Sequence, residues 1–154
     1  YKRQAQSLLV LDGIEPPHDH RFMVRDPADG RECTVEVFAD GGRLRSRAML
    51  DLGHVLHPDD LAADKVLALW GRARPRDYLD VSALLERFGA DRLLALAAEK
   101  DAGFTVATFI DALRAIARLG PEDWAEDGID RETAERMRAV FGDWRGRLES
   151  GQDQ

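Results

Sequence analysis

The chain has 154 residues, 44% hydrophobic and 33% charged, which suits one globular domain or two small halves sharing a core. Its 22 Lys and Arg against 29 Asp and Glu give a net charge of −7, which argues against a broad basic surface for non-specific nucleic-acid binding, although a local basic cleft is compatible. The single Cys33 excludes an internal disulfide framework and an all-cysteine zinc site and fits a reducing, cytoplasmic setting, and no apolar run approaches the roughly 18 residues of a membrane span.

The first residue is Tyr1 rather than Met, so the chain is expected to be a piece of a longer protein. Residues 3 to 12 read as the end of a helix closed by Gly13, with Glu15-Pro16-Pro17 as a connector. His18-Asp19-His20 offers metal-ligand types, but no further ligand has helpful spacing, and a solvated loop is the expectation. His20 to Arg25 reads as a strand. Asp26-Pro27-Ala28-Asp29-Gly30 is a turn, because Pro presets φ and Gly closes it. Glu32 to Ala39 alternates, with Cys33, Val35, Val37 and Ala39 on one face and Glu32, Thr34, Glu36 and Phe38 on the other. The two strands form a β-hairpin, with Cys33 expected as a small core residue.

Residues 43 to 56 match no period. Their alternate Arg43, Arg45 and Arg47 could contact RNA phosphates if extended, or belong to an exposed connector. His54 and His57 flank a helix start and suit turn and cap roles. From Pro58 onward the periodicity is helical, with helices expected at about 58–73, 75–89, 91–102, 105–120 and 130–149, most of them opened by Pro, Thr or Asp and closed by Gly. Glu122 to Asp127 is expected as a solvated loop anchored by Trp124, and Trp70, Trp124 and Trp144 as helix-packing residues. The order is a small β element over 1–56 and a helical bundle over 57–154, an α+β arrangement.

The chemistry concentrates in Leu61–Asp80, LAADKVLALWGRARPRDYLD. Lys65 sits mid-helix and Arg72 lies two turns on, on the same side. Pro75 opens the next helix, with Arg76 and Asp77 in its first turn and Asp80 one turn further. Three cations beside two carboxylates suit either a phosphate site or a structural salt-bridge knot pinning two helices. The chain has 19 Arg but only three Lys, at 2, 65 and 100, so a mid-helix Lys65 flanked by apolar residues suggests that the ammonium itself matters.

The run Asp-Leu-Ala-Ala-Asp-Lys-Val-Leu-Ala-Leu followed by Gly-Arg-Ala-Arg-Pro-Arg-Asp-Tyr-Leu-Asp-Val resembles the AbiEii/AbiGii-type nucleotidyltransferase toxin family. The resemblance extends from about Glu32 to Leu148 and is most specific between Asp60 and Asp80. It implies a nucleotidyltransferase fold, with residues 1–56 as the C-terminal part of its α/β core, the hairpin a remnant of its sheet, and 57–154 as a helical bundle. The family's toxins pair with a separate antitoxin, bind a nucleoside triphosphate, and in some cases add nucleotides to tRNA acceptor ends. By position, Lys65 matches the lysine near the triphosphate, Arg76 the arginine of the Arg-Asp-x-x-Asp element, and Asp77 and Asp80 its aspartates. Arg72 joins Lys65 and Arg76 as an expected phosphate-binding residue, and Lys65, Asp77 and Asp80 are the expected catalytic residues.

Two motifs of that superfamily, Gly-Ser and the metal-binding Asp-x-Asp, are absent from this chain. Glu36 occupies the place of a third carboxylate and is the expected ligand to Mg²⁺. One carboxylate cannot hold two Mg²⁺ ions, so the chain alone is expected to be inactive. The alternative is a degenerate member or a non-catalytic helical module that binds an antitoxin.

Overall fold

A computed structural model of the chain describes residues 20–37, 42–51 and 53–151. The expected helix over 3–12, the Pro16-Pro17 connector and His18-Asp19 lie outside them. The chain divides into two compact units, Tyr1–Gly42 and Arg43–Gln154, each described on its own.

In the first unit β1 (His20–Arg25) pairs antiparallel with β2 (Glu32–Val37), His20 opposite Val37 and Arg25 opposite Glu32. The turn forms as its residue types dictate. Asp26 Oδ1 accepts from Ala28 N at 2.8 Å, Asp26 O accepts from Gly30 N at 2.9 Å, and Gly30 takes φ 75°. One expectation fails here: Cys33 is exposed, not a core residue. The described part of this unit is a two-stranded ribbon without a second layer, so alternation alone buries neither face. Within β2 only Val35 reaches half-burial.

The second unit opens with a hairpin in the stretch that matches no period. β3 (Ala48–Leu50) pairs antiparallel with β4 (Gly53–Val55), with Met49 opposite His54. Six α-helices follow among the described residues. α1 (Pro58–Arg72) is capped by His57, whose Nδ1 accepts from Asp59 N at 3.1 Å, with Pro58 at its first turn. α2 (Pro75–Phe88) also opens on Pro and ends at Gly89, which takes φ 76°. α3 (Ala90–Lys100) and α4 (Val106–Ala115) follow, the latter capped by Thr105 accepting from Thr108 N. Where one helix is expected to reach Gly120, the chain instead tightens at Ile116–Arg118 into a 3₁₀ turn. Glu122–Asp127 is not a loop: α5 (Pro121–Glu126) is a short helix, held at its start by Asp123 accepting from Gly120 N at 2.7 Å, with Trp124 buried as expected. α6 (Arg131–Ser150) is capped by Asp130, which accepts from Thr133 N, and by Gly151 at φ 74°. No helix among the described residues is long and apolar enough to cross a membrane. The two hairpins and the helical bundle are the expected α+β arrangement.

The bundle closes around a chain of rings. Trp70 meets Phe104 edge-on at 5.5 Å, Phe104 meets Phe109 at 5.5 Å, Phe109 meets Trp144 at 5.2 Å, Trp144 meets Phe141 at 6.0 Å, and Phe141 meets Tyr78 at 5.1 Å. These contacts add about 0.5–1.5 kcal/mol each beyond area burial, so they stitch α1, α2, α4 and α6 into one core. Tyr78 is fully buried and donates to the Ala112 carbonyl at 2.8 Å, which satisfies its one polar atom. Burial pushes its phenol well above the ordinary range.

Candidate functional site

The bend between α1 and α2 follows from three residues. Ala73 ends α1 in the left-handed region at φ 48°, its N–H reaching back to Leu69 O at 3.1 Å. Arg74 is extended, as a residue before proline must be. Pro75, buried, restarts the helix.

This geometry lays α2 along α1 and turns charged side chains toward one seam. Lys65 Nζ donates to Asp80 Oδ2 at 2.7 Å, and both side chains remain about one-third exposed, at 36% and 32%. One turn of α2 earlier, Arg72 donates through Nε and Nη2 to both oxygens of Asp77, at 2.8–3.2 Å. Asp77 also accepts from Arg74 N at 3.0 Å, so it caps α2 while holding Arg72. Its side chain is 1% exposed, whereas that of Arg72 is 57% exposed. The carboxylate is therefore a buried brace, and the guanidinium is the part that meets solvent. The Asp77 hydrogen bonds hold the Arg72 guanidinium above its ordinary pKa, so it is a permanent cation.

Four of the six expected residues thus form two ion pairs on one seam. Arg76 is exposed on the first turn of α2, with its backbone N–H, not its side chain, bonded to Asp127 at 3.3 Å. Glu36 lies on β2 of the first unit, opposite Arg21 in the ladder, and is exposed. Among the described residues no group of three His, Cys, Asp or Glu side chains could hold a metal ion. Glu36 by itself does not make a Mg²⁺ site.

A second charged network was missed by the spacing argument. Asp60, fully buried at the first turn of α1, accepts from Leu44 N at 2.7 Å, Arg45 N at 3.0 Å and Lys100 Nζ at 3.2 Å. Lys100 also pairs with Asp64 at 2.8 Å. Beside it, Arg45 binds Glu99 at 2.6 Å and Asp59 at 3.3 Å, and Arg92 binds Asp59 at 2.8 Å. The one signal in the sequence was the scarcity of lysine, which marks Lys100 as it marks Lys65. Arg45 is thereby engaged by carboxylates, and the chain bends at Leu44 and Arg45. Arg43 and Arg47 are exposed and line a small cavity with His54.

Comparison with curated proteins finds no match, and neither does comparison with solved structures. A family model does match, described as "Nucleotidyl transferase AbiEii toxin, Type IV TA system", over residues 33–152. That span takes in β2 from Cys33 onward, all the bundle helices and both ion pairs of the seam. The chain therefore belongs to the AbiEii nucleotidyl transferase toxin family, the toxin side of a toxin–antitoxin system.

Proposed function

We propose that this chain is part of a nucleotidyltransferase that moves a nucleoside monophosphate from a triphosphate to an acceptor, with a tRNA acceptor end as the expected acceptor and pyrophosphate as the leaving group. The observation that carries the reading is the Lys65–Asp80 pair. An ammonium buried among aliphatic side chains could not meet a phosphate, whereas this one is part-exposed and steered by a carboxylate 2.7 Å away. Lys65 supplies a compact positive charge to phosphate oxygens as their charge develops in the transition state. Arg72 and Arg76 bind the remaining phosphates. Asp80 orients Lys65 and Asp77 orients Arg72. Between orientation and proton acceptance, the burial of Asp77 favours orientation for that residue.

Magnesium is part of the proposal as the expected cofactor, neutralising phosphate charge when bound. Glu36 supports it only together with carboxylates from a segment carrying the Asp-x-Asp pair, so the chain alone is expected to be inactive. Cognate antitoxin is the expected protein partner.

A second reading, a non-catalytic helical module or degenerate member that binds an antitoxin, draws on one observation. Lys65, Arg72, Asp77 and Asp80 satisfy one another, as a purely structural knot would. The test uses the protein together with any residues that precede Tyr1. Mg²⁺ with each nucleoside triphosphate should raise the melting temperature in a dose-dependent way, corresponding to about 2.7 kcal/mol at a hundredfold excess over Kd. α-Labelled triphosphate should transfer label to tRNA. No thermal shift with any of the four triphosphates and no label transfer would leave the interaction module.

A further inference from the structure

A groove of about 420 Å³ runs between the end of α1 and the α4–3₁₀ segment. Trp70, Ala112 and Leu119 give it an apolar wall, and Arg72 and Arg118 stand at it as cations. Neither Lys65 nor Asp80 lines it. Its size falls in the range of small-molecule pockets, roughly 300–1,000 Å³.

The two guanidiniums differ in a useful way. Arg72 is pre-oriented by three hydrogen bonds to the buried Asp77 and still presents more than half of its side chain to solvent. Arg118 is exposed and makes no hydrogen bond or ion pair among the described residues. A fixed fork beside a free one suits a phosphate group, which takes bidentate contacts from more than one side. The groove also contains a carboxylate, Asp111, but Arg114 engages it at 2.9 Å. The carbonyl end of α1 opposes an anion, an effect confined to the last turn, and Asp77 balances the charge of Arg72, so Arg118 supplies the groove's net positive charge.

We propose that this groove is a phosphate-binding site beside the Lys65–Asp80 pair, with Arg72 and Arg118 as its two guanidiniums and the Trp70–Leu119 wall receiving the apolar body that carries the phosphate. Arg72 is shared with the phosphate-binding set of the proposed function, so the groove extends that reading, and Arg118 is the residue it adds. The phosphate comes from a free nucleotide or from an RNA end, and the same chemistry serves both.

The experiment is calorimetric titration of the protein with inorganic pyrophosphate, with AMP and with a 5′-phosphorylated RNA trinucleotide. Saturable binding is expected, weakened about tenfold or more in Arg118→Ala, as loss of one charge-assisted bidentate contact implies, and unchanged in Arg131→Ala on α6. Arg118 is exposed, so an unchanged melting curve should accompany the loss. Tighter binding of the trinucleotide than of AMP supports the site with RNA as the source, and equal binding supports it with a free nucleotide. Absence of saturable binding for all three probes, or affinity indifferent to Arg118→Ala, overturns the proposal. Because no turnover is read, a failure of nucleotidyl transfer leaves this result interpretable.

Discussion

In the full-length protein, Lys65→Ala is expected to lower nucleotidyl transfer by about 10²–10³-fold, the loss typical of one preorganised charge-stabilising group, while the protein stays folded. The prediction separates catalysis from structure because the two effects differ so much in size. Lys65 and Asp80 are each about one-third exposed, and an ion pair of that kind contributes no more than about 1 kcal/mol to stability. Removing the ammonium also leaves Asp80 able to hydrate rather than stranded. Label transfer and a circular-dichroism melt, run on the same preparation, decide the matter. Normal turnover in Lys65→Ala removes the assignment. Collapse of the melt together with activity would show instead that the seam is a structural knot.

The opposite pattern is expected for Asp60→Ala, which should destabilise the fold by about 3–5 kcal/mol, the cost of breaking a buried ion pair from one side. Three donors lose their acceptor at once: Leu44 N, Arg45 N and Lys100 Nζ. The Lys100 side chain is 12% exposed and retains only Asp64. At roughly 2–4 °C per kcal/mol for a chain of this size, the melting temperature should fall by about 6–20 °C. A fall smaller than that of an ordinary surface substitution would refute the role.

The same clamp has a pH signature. Burial alone would raise the Asp60 pKa, but the hydrogen bonds from Leu44 N, Lys100 and Arg45 N outweigh it and hold the carboxyl below its ordinary value. A lowered folded pKa means that this stability is present above the unfolded value of about 3.9 and is lost as pH falls through the folded one. Lys100 shows the mirror case. Burial would lower its pKa, yet the bonds to Asp64 and Asp60 raise it, so its contribution is complete below about pH 10.4 and fades as pH rises through the folded value. The acid limb of the wild-type stability curve should therefore be shallower in Asp60→Ala.

Local chemistry made much of the bundle legible. Proline at the first turns of α1 and α2, the His57, Thr105 and Asp130 caps, and glycine beyond α2 and α6 punctuate the helices wherever they occur. Short elements escaped for a physical reason. Three-residue strands such as Ala48–Leu50 contain barely one alternation, and a six-residue helix such as Pro121–Glu126 spans less than two turns, so neither shows a period. Cys33 was misplaced because alternation tells which residues share a face and not whether anything covers it.

The candidate site divides along the same line. Lys65 with Asp80 and Arg72 with Asp77 span a single bend, so helical spacing suffices to pair them. Asp60 was placed correctly in a first turn, but the partners that make it buried lie 15 to 40 residues away. Arg118 carries no local mark at all, because its significance comes from facing the end of a helix far from it in sequence.

The Asp60 clamp also bears on how the bundle can be isolated. The helices begin at Pro58, and a dissection guided by helical content alone would cut there. Such a cut discards the two backbone donors at Leu44 and Arg45 that neutralise the carboxylate's desolvation, leaving Lys100 as its remaining partner. The compact unit therefore starts ahead of its first helix, at Arg43, and the donors at Leu44 and Arg45 belong to it as much as the helices do.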